Sequence, residues 1–348
     1  MSDALVLAGG VAKGAFTAGA LSVLSDPETK ARLGLDVTRI VGASSGALNG
    51  VFYAAAIRGG TEAFAGQRLE QIWLDDATIG GAFDFSLRDV LGGVGLSTDD
   101  KLLALLRRHI QPGQGPRFPV GLRLVVTNAD GEAVAMEDGS TATTFEHVVD
   151  LAGPDFDTAE ALERVFVAAA ASAALPGAYA PVPFEVAGGT VRGLDGGLVD
   201  DTPLGHALEG APEITRVFVL VPSPRVLTPP ADLHGLALAS HVFDILVEER
   251  LVRDLRHVAR VNRVLAQLPS LVADPAERAA LLDALGWTGR RPVQIVEIRP
   301  DAALPGDGFS GFTSLPLRQQ YVQAGGEAAT RVLAALGSAP GSVVGTGA

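Results

Sequence analysis

Arg39-Ile40-Val41-Gly42-Ala43-Ser44-Ser45-Gly46-Ala47-Leu48-Asn49 is the stretch that decides the fold. The β-branched run Arg39–Ala43 reads as a strand and Gly46–Arg58 as a helix. Gly42-Ala43-Ser44-Ser45-Gly46 is then a G-x-S-x-G sequence at a strand-to-helix turn. Such a turn exposes the central hydroxyl, and glycines two residues to either side leave it room. The helix N-terminus adds partial positive charge and free N–H groups beside the reacting oxygen. Ser44, not Ser45, is the candidate nucleophile. The same letters also suit a plain Gly/Ser turn with an N-cap at Ser44 or Ser45.

Working outward, Leu5–Ala8 reads as a strand and Ala15–Leu24 as a helix, with Gly9-Gly10-Val11-Ala12-Lys13-Gly14 between them. A phosphate-binding loop would need Lys-Ser or Lys-Thr after its last glycine, where Ala15-Phe16 stands. A dinucleotide fingerprint would need glycine in place of Val11. An oxyanion hole needs only N–H donors aimed at one oxygen, and beside a serine elbow that reading is the best of the three. Downstream, the strand Thr190–Leu194 runs into Asp195-Gly196-Gly197. An aspartate at a strand end beside two glycines suits a base for Ser44, and burial would raise its pKa. Alone, Asp-Gly-Gly is equally a turn.

The chain has 348 residues, 47% of them hydrophobic, which excludes a disordered protein. Forty acidic against 27 basic residues give a net charge of −13, which argues against nucleic acid as a partner. Cysteine is absent, so thiol chemistry and disulfides are excluded. The uncharged run Val165–Phe184 is long enough to span a bilayer, but three prolines in its second half favour a buried helix followed by a loop. No targeting signal is evident at the start, and a cytoplasmic protein is expected.

Further strands are expected at Arg216–Val221 and Val293–Ile298, a helix at Thr158–Ala173, and a long helix over about Leu233–Leu268. Leu122–Asn128 and Val134–Glu137 flank Asp130-Gly131, a hairpin signal. Strands alternating with helices imply an α/β fold. One domain over 1–336 is expected, with a cap or lid insertion at about 62–118 (glycine-rich from Ile79 to Leu96) and a disordered tail at 337–348.

The glycine-rich loop, the elbow and Asp-Gly-Gly, in that order, resemble the patatin-like phospholipases. Ala171-Ser172-Ala173-Ala174-Leu175-Pro176-Gly177 with Pro181-Val182, and Thr202-Pro203-Leu204 after the aspartate, are similar to further blocks of that family. The resemblance implies a three-layer α/β/α fold with a mostly parallel central sheet and a nucleophile elbow. It also implies a Ser44–Asp195 dyad, an oxyanion hole in Gly9–Gly14, and support from Gly42, Gly46, Gly196 and Gly197. The activity implied is lipid acyl hydrolysis of phospholipase A or lysophospholipase type through an acyl-enzyme, with no metal or organic cofactor. An esterase, thioesterase or acyltransferase on the same dyad, or a binding protein with an impaired site, would look alike. Two positions depart from the pattern. Val11 stands where a third glycine is usual, and Asp201 where many relatives have asparagine. A triad Ser44–Asp195–His206 is the minor alternative.

Lys13 is a candidate contact for a substrate phosphate. Arg250, Arg253, Arg256, Arg260 and Arg263 recur at intervals of three and four on the long helix. They form either a docking stripe for a lipid surface or an ordinary solvated face whose charges pair with Glu248, Glu249 and Asp254.

Overall fold

The computed structural model describes residues 2–82, 100–113, 121–136, 138–186, 188–227 and 235–338. Eight described strands form one sheet: β1 (Ser2–Leu7), β2 (Val37–Ala43), β3 (Gly121–Ala135), β4 (Thr141–Leu151), β5 (Val182–Val186), β6 (Gly189–Leu194), β7 (Ile214–Leu220) and β8 (Gln294–Ile298). Their order is β5-β6-β3-β2-β1-β7-β8, with β4 also paired to β3. The pairings from β3 across to β8 are parallel, and those of β4, β5 and β6 are antiparallel.

The first helices are α1 (Gly14–Ser25), α2 (Pro27–Leu33), α3 (Ser45–Arg58), α4 (Ala65–Asp75), α5 (Ile79–Ala82), α6 (Asp100–His109) and α7 (Ala159–Ser172). After them come α8 (Gly197–Asp200), α9 (Leu204–Leu208), α10 (Gly235–Leu271), α11 (Pro275–Ala284), α12 (Ser310–Thr313) and α13 (Leu315–Ser338). Side chains alternate along β1, so it feeds two cores. Leu5 and Leu7 pack with α1, α3, α4, α6, α7 and α13, while Ala4 and Val6 face α9 and α10. Helices therefore cover both faces of a mostly parallel sheet, as expected of the α/β class.

The Asp130-Gly131 hairpin is not formed there. β3 runs through it with a bulge between Thr127 and Glu132, Gly131 taking φ 69°. The chain instead reverses at Met136–Ser140, where the Met136 N–H donates to the Ser140 carbonyl. Asp130 is drawn off the turn by Arg192, whose Nε donates to it at 2.9 Å. The uncharged stretch also divides, α7 ending at Ser172 and β5 starting at Val182. No described helix is long and apolar enough to cross a membrane.

Most of the glycine-rich cap, residues 83–99, lies outside the described residues. So do 114–120 and residues 339–348 of the expected tail, whose first two residues end α13. The described helices of this region, α4 and α6, bury Leu69, Ile72, Trp73, Leu102 and Leu106 in the main core.

Candidate active site

β2 and α3 meet at Ser44, which has φ 54° and ψ −129°, a conformation strongly disfavoured for a residue with Cβ. The surroundings leave the backbone no slack. A Cβ at Gly42 would lie 2.6 Å from the Gly46 carbonyl oxygen, and one at Gly46 would lie 2.0 Å from that of Leu7. The glycines of the elbow are thus required by close backbone approach. The Ser44 N–H donates to Ser172 Oγ at 3.1 Å, and Ser172 Oγ donates to the Val125 carbonyl at 2.6 Å. One hydroxyl from α7 thereby ties the elbow to β3. The sequence alone gives Ser172 no role, because both of its partners lie far away along the chain.

Ser44 Oγ donates to Asp195 Oδ2 at 2.7 Å. The other carboxylate oxygen accepts from the Gly197 N–H at 2.8 Å. The Asp195 backbone is held in turn, its carbonyl accepting from Thr127 Oγ1 at 2.7 Å and its N–H donating to the Ala174 carbonyl. At Gly196 a Cβ would fall 2.0 Å from the Val125 carbonyl oxygen, which fixes the residue as glycine. Asp195 is 1% exposed, and burial pushes its pKa up to about 6 against the pull of the Ser44 and Gly197 bonds. The carboxylate is ionised at neutral pH yet a stronger base than a solvated one.

The loop after β1 lies beside this pair, with Gly9 packed so closely that a Cβ on it would meet Ser44 Cβ at 2.8 Å. Val11 adopts φ 54° despite its branched side chain, so the valine departure leaves the glycine-like backbone in place. The expectation for Ala12 needs correction. Its N–H donates to the Gly308 carbonyl at 3.0 Å and is spent. Those of Gly9, Lys13 and Gly14 are also bonded within the protein. Gly10 and Val11 are the loop positions whose N–H groups have no partner among the described residues.

Val11→Gly relieves the strain, so activity is expected to stay within several-fold of wild type. Strain relief of about 1–3 kcal/mol would offset much of the added chain entropy. Thermal melting and ester kinetics check this, and a large fall in rate with the fold intact would show that valine packing itself positions the loop.

An apolar cavity opens at Ser44, walled by Leu48, Phe52, Trp73, Leu105, Tyr179 and Phe312. The Trp73 indole donates to Asn49 Oδ1 at 2.8 Å, and Asn49 Nδ2 to the Gly14 carbonyl, so this wall is anchored to the elbow helix. Lys13 does not line this cavity. It lines a neighbouring depression with Gly9, Gly10 and Asp201.

The triad is not assembled. His206 Nε2 lies 2.7 Å from Glu146 Oε1, and Nδ1 3.2 Å from Glu209 Oε2. Both ring nitrogens are engaged by those carboxylates, and Asp195 bonds Ser44 directly. His206→Ala should therefore keep hydrolysis within several-fold. The Glu146 hydrogen bond raises the pKa of His206, so its stabilising contribution is present at low pH and lost as pH rises through the raised value. The substitution should lower the melting temperature more at acidic than at alkaline pH, and a folded but inactive variant would reinstate the triad. Glu146, Asp200 and His206 have donor atoms within 4.8 Å of one another, the spacing of a metal site. The Arg250 guanidinium fills the cation's place, 2.7 Å from Glu146 and 3.2 Å from Asp200.

Arg250 is consequently turned inward and leaves the expected stripe. Arg253, Arg256, Arg260 and Arg263 remain exposed and make no ion pair among the described residues. The pairing expected with Glu248 is not made, because Glu248 holds Arg299.

Comparison with curated proteins gives no match. Among solved structures, VipD from Legionella pneumophila is similar at 12% identity and a TM-score of 0.39, over 96% of this chain. The chain spans 66% of that one. The sequence pattern of the patatin-like phospholipases matches residues 5–208, more than half of the chain, from within β1 to the end of α9. The chain belongs to the patatin-like phospholipase family.

Proposed function

We propose that this protein hydrolyses fatty acyl esters of lipids, in the manner of a phospholipase A or lysophospholipase, through a Ser44–Asp195 dyad. The observation that carries the reading is the 2.7 Å bond from a strained serine to a buried carboxylate at the mouth of an apolar cavity. Asp195 takes the Ser44 proton as Oγ attacks the ester carbonyl. The Gly10 and Val11 N–H groups and the α3 N-terminus offer stabilisation to the oxyanion as it develops. Collapse expels the alcohol, which takes up the proton held by Asp195, and water then repeats the sequence on the acyl-enzyme. The steps need only protein groups, and the apolar walls suit the acyl chain.

Mass spectrometry of fatty acids released from a phospholipid panel, with fluorophosphonate labelling of Ser44, tests the proposal. Labelling without release from any lipid would favour a soluble esterase, thioesterase or acyltransferase on the same dyad. Absence of labelling would favour a binding protein. A cytoplasmic location with peripheral contact, through the four exposed arginines of α10, completes the reading. Co-sedimentation with anionic vesicles at low salt, lost on neutralising those four, is the expected result, and no sedimentation at low salt would refute it.

A further inference from the structure

A second cavity, of about 280 Å³, lies between α9 with the turn that follows it, α10, and the 286–293 loop, and shares no lining residue with the one at Ser44. It sits at the other end of the sheet. Ile214, in its floor, opens β7, and Val293 immediately precedes β8, whereas Ser44 follows the far end of β2. With strands of seven residues on the parallel side, the two cavities are about 20 Å apart along the strand direction.

The floor is apolar, made by Leu208, Ile214, Val258 and Val261. The rim carries His257, Arg290 and Arg291, whose side chains make no hydrogen bond or ion pair among the described residues. Two carboxylates also line the space, and each has its own countercharge. Glu209 is held by Arg123 at 3.0 Å and His206 at 3.2 Å, and Asp254 lies in the field of Arg250, Arg253 and His257. Arg290 and Arg291 are therefore the uncompensated charges of the rim among the described residues. The walls are prebuilt. Asn262 clamps the loop to α10, donating to the Val293 carbonyl at 2.7 Å and accepting from its N–H at 2.9 Å.

We propose that this cavity binds a single-chain anionic amphiphile, with a fatty-acid carboxylate at Arg290 and Arg291 and its chain over the Ile214–Val258–Val261 floor. The argument is the head-and-tail arrangement. Guanidinium groups match a carboxylate in shape and charge, and Ile214 and Val258 of the adjoining floor already belong to the second core. A cavity of this size is at the small end for organic ligands, which suits a single chain.

Calorimetric titration of the full-length Ser44→Ala protein with decanoate, below its micelle concentration, tests this. Because that background has no turnover, failure of the hydrolase reading leaves the result interpretable. Saturable binding is expected. It should weaken by about tenfold or more in Arg290→Ala/Arg291→Ala and in Val261→Trp, which fills the floor. Decyltrimethylammonium and inorganic phosphate should not compete. The arginine pair is exposed, so its variant should fold even if Val261→Trp does not. Unchanged affinity in the folded arginine variant, the behaviour of decanoate seated at Ser44, would overturn the proposal. So would phosphate competing as well as decanoate, which marks a plain anion site, or equal binding of the cationic amphiphile, which marks mere greasiness.

Discussion

Ser44→Ala is expected to lower hydrolysis of a short-chain nitrophenyl ester by about 10⁴-fold or more, to the rate that binding and the loop donors sustain alone. Ser45→Ala should keep most of the activity. The contrast follows from two adjacent hydroxyls with opposite surroundings. Ser44 Oγ, at the apex of the elbow, donates to Asp195. Ser45 Oγ is buried at the start of α3 with no hydrogen-bond partner among the described residues, tucked where a Cβ on Gly14 would touch it at 2.8 Å. Removing an unsatisfied buried hydroxyl costs no bond, so Ser45→Ala should be neutral or more stable by about 1 kcal/mol. Circular dichroism establishes that both variants fold. Equal losses in the two, or loss only at Ser45, would move the nucleophile off Ser44.

The features legible in the sequence are those whose signal is local. The elbow, the glycine loop and Asp195 each sit where a strand gives way to glycine, and the matching strands and helices appear within a few residues of expectation. What stayed hidden depends on distant contacts. Ser172 gains its role only because α7 passes beneath both β3 and the elbow. The spending of the Ala12 N–H depends on Gly308, almost three hundred residues later. The closing helix α13 went unread as well. It docks through glycines, Gly325 so close that a Cβ would lie 1.9 Å from the Phe16 carbonyl oxygen, and Gly19 of α1 equally tight against Val322. Such contacts weaken the local helix signal while making the tertiary one. The arginine stripe misled in part for the same reason. Spacing puts five arginines on a face, but only the fold shows Arg250 reaching Glu146, Asp200 and the Val199 carbonyl.

Asp195→Asn is expected to cost about 10²–10⁴-fold in rate, because an amide cannot accept the Ser44 proton, and at the same time to raise the melting temperature at alkaline pH. The wild-type rate should climb with pH through about 6 as the carboxylate ionises, a limb the variant lacks. Stability runs the other way. Below the ordinary carboxylate pKa of 3.8 the group is protonated in both folded and unfolded chains and contributes no pH dependence. Between about 4 and about 6 the unfolded chain ionises while the buried group resists, so stability falls as pH rises. Above that window the penalty is constant, about 3 kcal/mol for roughly two pKa units. Asparagine carries no charge at any pH and keeps both contacts, its carbonyl accepting from Gly197 and its amide donating to Ser44 Oγ. The variant should therefore melt higher than wild type at pH 8, and the gap should close near pH 4. Differential scanning calorimetry at the two pH values reads this directly. An inactive variant that melts lower than wild type at both would mean that Asp195 holds the fold through its bonds more than its buried charge strains it.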